Sequence, residues 1–117
     1  MNDVRGADSS ADDKRKQLIQ LFLRRSFGDV EQMRRTVPRL VAGDPATWQD
    51  LRFAAQRMAG TAQGLELGIL ATRAKELARL ADEKFAGITL DAHFLLSATT
   101  AIEMVAIELN RLFAEYA

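Results

Sequence analysis

The sequence predicts an all-α protein: an up-and-down antiparallel helical bundle with a four-helix core and a further N-terminal helix. Three observations carry that prediction. Apolar residues recur three and four positions apart over long stretches, and nothing alternates with period two for long enough to make a strand. Only two prolines and seven glycines occur in 117 residues, too few for a multi-turn β architecture. The chain is also rich in Ala, Leu, Arg and Glu, all good helix formers.

The elements follow in order. Residues 1–9 read as a flexible leader, and residues 10–117 as a single domain. Ser9 or Ser10 can cap a first helix, with Asp12 and Asp13 at its positive end. That helix carries Leu18, Ile19, Leu21, Phe22 and Leu23 and is expected to stop near residues 26–28. Asp29 begins a second helix with Val30, Met33, Val37, Leu40 and Val41 on one side, ending at Gly43. Pro38 inside it is expected to kink it or push the local backbone outward. Asp44-Pro45 is a cap followed by proline at the first helical position. Behind it Trp48, Leu51, Ala55, Met58, Ala62 and Leu65 form a heptad seam, the clearest helical signal in the chain. A fourth helix carries Leu67, Leu70, Ala74, Leu77 and Ala81 and ends at Ala86-Gly87. The last starts near residues 89–91 and runs through Leu95, Ile102, Val105, Leu109 and Leu112. Short loops imply antiparallel neighbours.

Composition narrows the function. An apolar content of 48% with 27% charged residues is that of a folded globular domain. With no cysteine there is no disulfide or thiolate metal site, and a single histidine, His93, excludes a multi-histidine metal site. No cofactor is implied. No run approaches the roughly 18–20 apolar residues that span a bilayer, and the first residues lack a signal-peptide pattern, so a cytoplasmic protein with no membrane partner is the expectation. The net charge is zero, but residues 14–60 carry ten Lys/Arg against four acids, while both flanking segments are acidic. The plain reading of that basic middle is a solvated helix face. Few aromatics and no reading motif accompany it, which argues against nucleic acid.

One stretch resists a purely structural reading. AAQRMAGTAQGLELG, residues 54–68, reads as helix yet carries Gly60, Gly64 and Gly68 four residues apart. Each interior glycine costs about 1 kcal/mol relative to alanine. Arg52, Gln56, Gly60 and Gly64 share one flank, with Ala59 and Gln63 beside them. The buried seam lies next to this flank, so Gln56 is expected to be largely exposed. A surface without side chains lets another backbone approach closely. Spacing alone favours a neighbouring helix of the same chain over an external partner.

These residues resemble the histidine-phosphotransfer (HPt) domains of bacterial phosphorelays. The family signature runs approximately alanine, histidine, any, leucine, lysine, glycine, serine, alanine; the matching places hold Ala55, Gln56, Arg57, Met58, Ala59, Gly60, Thr61 and Ala62. Upstream, Phe22-Leu23, the helix over Val37 to Val41 and the Gly43-Asp44 turn fit the family's register; downstream, Leu70, Ala74 and Leu77 match the following helix. The resemblance implies a four-helix bundle on which a response-regulator receiver domain docks over the second and third helices. Here those helices carry Arg34, Arg35, Arg39, Arg52 and Arg57, which would favour the acidic pocket of a receiver.

The departures from the family decide the expected activity. Gln56 stands where the phosphoryl-accepting histidine belongs, and a carboxamide nitrogen, its lone pair delocalised, is no useful nucleophile. Ala59 replaces the lysine that would balance phosphate charge. Glu66 replaces a glycine common ten residues after the histidine. The expectation is a degenerate HPt domain, not an enzyme, that binds a receiver domain or a histidine-kinase-related signalling protein without accepting phosphate. The residues expected to contact that partner are Arg52, Gln56, Arg57, Ala59, Gly60, Gln63 and Gly64. The alternative is a helical interaction or dimerisation module that no longer engages receivers, although a monomer is favoured. His93, in LDAHFLL, lies outside the motif and reads as an ordinary surface or half-buried histidine.

Overall fold

A computed structural model describes the backbone of residues 3–117 and the side chains from residue 10 onward. Five helices follow one another: α1 (Asp3–Arg35), α2 (Val37–Val41), α3 (Pro45–Gly64), α4 (Gly68–Phe85) and α5 (Ala92–Tyr116). The described residues contain no strand. The leader expected over residues 1–9 falls partly outside this range: residues 1 and 2 are not described, and residues 3–9 are described as helical backbone alone. Ser9 and Ser10 lie within α1 and do not cap it.

The four long helices close a ring in which α1 packs on α3 and α5, and α4 on α3 and α5. Contacts along α1 and α5 run in opposite directions. Gln20 Nε2 donates to the Tyr116 carbonyl at 2.6 Å, the Phe27 and Phe113 rings meet edge to face at 5.1 Å, and Arg34 binds Glu103 through 2.9 and 2.7 Å hydrogen bonds. The pair is therefore antiparallel. A turn over residues 65–67 folds α4 back along α3.

The expected break near residues 26–28 does not occur. Ile19, Leu23, Ser26, Val30 and Met33 are all buried, a seam spaced 4, 3, 4, 3 that runs straight through the supposed turn. Gly28 sits on the solvent side, where an added Cβ would meet nothing within 4 Å. The two expected N-terminal helices are thus one. The interruption falls instead at Thr36, whose hydroxyl donates back to the carbonyls of Gln32 and Met33, just before Pro38 in the first turn of α2. Pro38 thus stands in the first turn of a separate short helix, and not inside the continuous helix expected from Asp29 to Gly43.

The other boundaries match the sequence reading. The Asp44 carboxylate caps α3, accepting from the Thr47 amide at 3.3 Å and from the Thr47 hydroxyl, which holds the Asp44 carboxyl below its usual pKa. Asp91 caps α5, accepting from Phe94 N at 2.8 Å. Gly43 and Gly87 end helices at φ +77° and +96°. The seam of α3 is core: Trp48, Ala55 and Ala62 are fully buried, and Trp48 Nε1 donates to the Leu40 carbonyl at 3.0 Å, tying α2 to α3.

α5 corrects one expectation. By length and composition it is apolar enough to cross a membrane, with mean hydropathy 1.3 over its most apolar window. In the bundle its apolar stripe through Ile102, Val105, Leu109 and Leu112 is core.

Candidate functional site

The flank of α3 singled out by the sequence divides into three environments. Gln56, Gly60, Gln63 and Gly64 are exposed along one strip. An added Cβ at Gly60 or Gly64 would meet nothing within 4 Å, and the same holds at Gly68. Among the described residues nothing packs on the glycines, contrary to what spacing favoured. α3 and α4 come together instead through alanines: Ala55, Ala59 and Ala62 on one helix and Ala71, Ala74, Ala78 and Ala81 on the other are all buried. A methyl group is small enough for close helix approach and keeps helix propensity. The glycines are therefore unexplained by internal packing.

Ala59 and Arg52 belong to that α3–α4 boundary. Ala59 is only 6% exposed, so it is not free to line a docking face as the sequence reading had it. Arg52 lies over the Phe85 ring at 5.4 Å, and its Nε is 2.8 Å from Asp82 Oδ1. That N–H is buried and points away from the line to the carboxylate, so the contact is an ion pair without an aligned hydrogen bond.

Arg57 belongs to the opposite side, where it reaches Asp29 of α1 at 3.4 Å. This pair bridges a groove between α1 and α3. On one side of it lies a hollow of about 340 Å³ lined by Met33, Leu51, Phe53 and Ala54; on the other, one of about 210 Å³ lined by Leu21, Phe22, Met58 and Thr61. Phe53 is 52% exposed and stands two turns before Gly60 on the same face. The sequence reading missed it; its spacing of seven from Gly60 was the available signal.

The other arginines of the basic middle divide likewise. Arg34 is held by Glu31 and Glu103, whose hydrogen bonds raise the guanidinium pKa. Arg35 and Arg39 are exposed and form no ion pair among the described residues. Charge available to an incoming partner is thus smaller than the sequence count suggests.

Chemically, the strip offers a carboxamide that donates and accepts hydrogen bonds beside a stretch of bare backbone, with no nucleophile. His93 is exposed in the first turn of α5, beside a hollow bordered by Arg73, Glu76 and Arg79 of α4 and distant in sequence from the strip. No group of three or more metal-ligating side chains occurs among the described residues. In the turn after α3, Glu66 has φ +62°, in the left-handed region that favours glycine. Comparison of the chain with protein-family models, with curated proteins and with solved structures finds no match.

Proposed function

We propose that this chain is an HPt-like bundle that acts by binding: it docks on a response-regulator receiver domain, or a related signalling protein, and neither accepts nor passes on phosphate. The observation that carries the proposal is the open space over Gly60 and Gly64 beside the exposed Gln56. Gly60 in the interior of α3 and, less so, Gly64 in its last turn lower the helix's stability, and no described side chain packs into the space they leave. A partner whose loops press on the helix backbone would gain from it. The register of the resemblance has a second support in Glu66: where the family commonly places glycine, this backbone adopts a glycine-favouring conformation.

In this reading Gln56 replaces the acceptor imidazole with a group of similar reach that hydrogen-bonds in both directions but cannot attack an aspartyl phosphate. Ala59 brings no cation to the site. The protein would occupy a regulator's docking face and so keep a true phosphotransfer protein away. The test is a titration of the labelled chain with receiver domains from its own genome, followed by amide shifts. Perturbation centred on Gln56, Gly60 and Gly64 is the expected result. If no receiver moves those amides, the docking proposal fails.

A further inference from the structure

The smaller of the two hollows beside the Asp29–Arg57 pair collects hydrogen-bond donors. α1 and α3 run antiparallel here, since Asp29 meets Arg57 while Arg15 donates to the Leu65 carbonyl. Arg25, one turn before Asp29 on α1, therefore lies level with Thr61, one turn after Arg57 on α3. The hollow, about 210 Å³, is bordered by these four residues and by Ser26, with Leu21, Phe22 and Met58 as apolar walls.

Charge around this hollow does not balance. Two guanidinium groups border it against one carboxylate, and Asp29 takes only a 3.4 Å hydrogen bond from Arg57 Nη2. The other Arg57 nitrogens and the whole Arg25 guanidinium have no partner among the described residues. The hydroxyls are spare as well. Elsewhere in the helices Thr36, Thr72, Ser97 and Thr99 each donate to a carbonyl one turn back. Among the described residues neither Ser26 nor Thr61 donates to any group, although Ser26 is only 1% exposed. A hydroxyl buried to that degree is costly to leave without a partner.

We propose that this hollow binds a tetrahedral oxyanion, either phosphate itself or the phosphoryl end of a small phosphomonoester. Arg25 and Arg57 supply positive charge and forked donors, and the Ser26 and Thr61 hydroxyls donate to the remaining oxygens. The apolar walls displace water that would otherwise screen the attraction. Asp29 is the one rim group that repels the anion, and it competes with the anion for Arg57. Binding is non-covalent and reversible. It does not rest on the receiver reading, because the site lies on the α1 side of α3 and Gln56 takes no part in it.

Titration of the full chain with inorganic phosphate, against chloride at constant ionic strength, tests it by NMR. The expected result is a saturable shift centred on Arg25, Ser26, Arg57 and Thr61, with a dissociation constant on the order of 1 mM. Arg25→Gln or Arg57→Gln, both at exposed positions, is expected to weaken binding about tenfold while circular dichroism shows the bundle intact. Asp29→Asn is expected to tighten it about threefold. Asp12→Asn, an equal change of charge elsewhere on α1, is expected to leave it within about twofold. Ser26→Ala is expected to weaken binding about threefold without lowering the urea midpoint, because the hydroxyl it removes has no partner in the chain. Methyl phosphate in a parallel titration separates the sources: equal binding assigns the phosphoryl end of an ester, and binding of phosphate alone assigns the free ion. The absence of a saturable shift overturns the proposal, as do shifts that chloride reproduces. So does an Asp29→Asn chain that binds no more tightly than Asp12→Asn.

Discussion

Replacing Gly60 and Gly64 together by alanine is expected to stabilise the protein. Both glycines lie in α3 at ordinary helical backbone angles, and a Cβ at either meets nothing within 4 Å. The substitution therefore adds no clash and removes unfolded-chain entropy. Gly60 is in the helix interior, where the gain is about 0.8–1 kcal/mol. Gly64 closes the last turn, where fraying reduces the gain to about half of that. The sum, about 1–1.5 kcal/mol, corresponds to a rise in Tm of about 3–8 °C for a domain of this size. Urea denaturation monitored by far-UV circular dichroism reads it as a higher midpoint at unchanged m-value. A double variant less stable than the wild type would mean that something already fills the space over α3, and would refute the reasoning. Stabilisation would bear on the proposed docking: a glycine that lowers stability and packs against no described residue is the feature that the proposal assigns to a partner.

Four further outcomes are expected. Glu66→Gly relieves a left-handed residue in the α3–α4 turn and is expected to stabilise by about 1 kcal/mol in the same denaturation assay. Trp48→Phe removes one of two donors to the Leu40 carbonyl, which keeps the Gly43 amide, and empties part of a fully buried ring's volume; it is expected to cost about 1–3 kcal/mol, read from the urea midpoint. The Glu103 carboxyl is held below the usual carboxylate range by its hydrogen bonds to Arg34. Its stabilisation is therefore complete above the unfolded pKa and lost as pH falls through the folded one. Because both side chains are largely in solvent, the difference between wild type and Glu103→Gln is expected to be under about 1 kcal/mol at pH 7 and to vanish in acid. Gln56→His with Ala59→Lys is expected to gain acid-labile phosphate from a phosphorylated receiver. The lysine has to lead its stem out from the buried α3–α4 boundary, so some stability is lost, read by thermal melting.

Local chemistry made much of this architecture legible in the sequence. Asp44-Pro45, the 3–4 seam from Trp48 to Ala62, and the ends at Gly43 and Gly87 are each specified by a few adjacent residues. The junction of α1 was misread because Ser26 and Gly28 look like a turn in isolation. Only the tertiary seam shows Ser26 as a small core residue between Leu23 and Val30. The site was partly legible. Period and propensity placed Gln56 and Gly60 on an exposed flank. They did not reveal that alanines bring α3 and α4 together, which buries Ala59 and leaves the glycines facing solvent. Nor did sequence reveal that Arg52, Arg57 and Arg34 are occupied by Asp82, Asp29 and Glu103, since such pairs depend on which helices become neighbours.

The central claim, that bare backbone over Gly60 receives another protein, is tested most directly by calorimetric affinity. A receiver domain that binds the wild type would be titrated against Gly60→Leu. Because space is open there, the leucine variant is expected to stay folded and to bind at least about tenfold more weakly. A folded Gly60→Leu chain that binds the receiver as tightly as the wild type would contradict the claim.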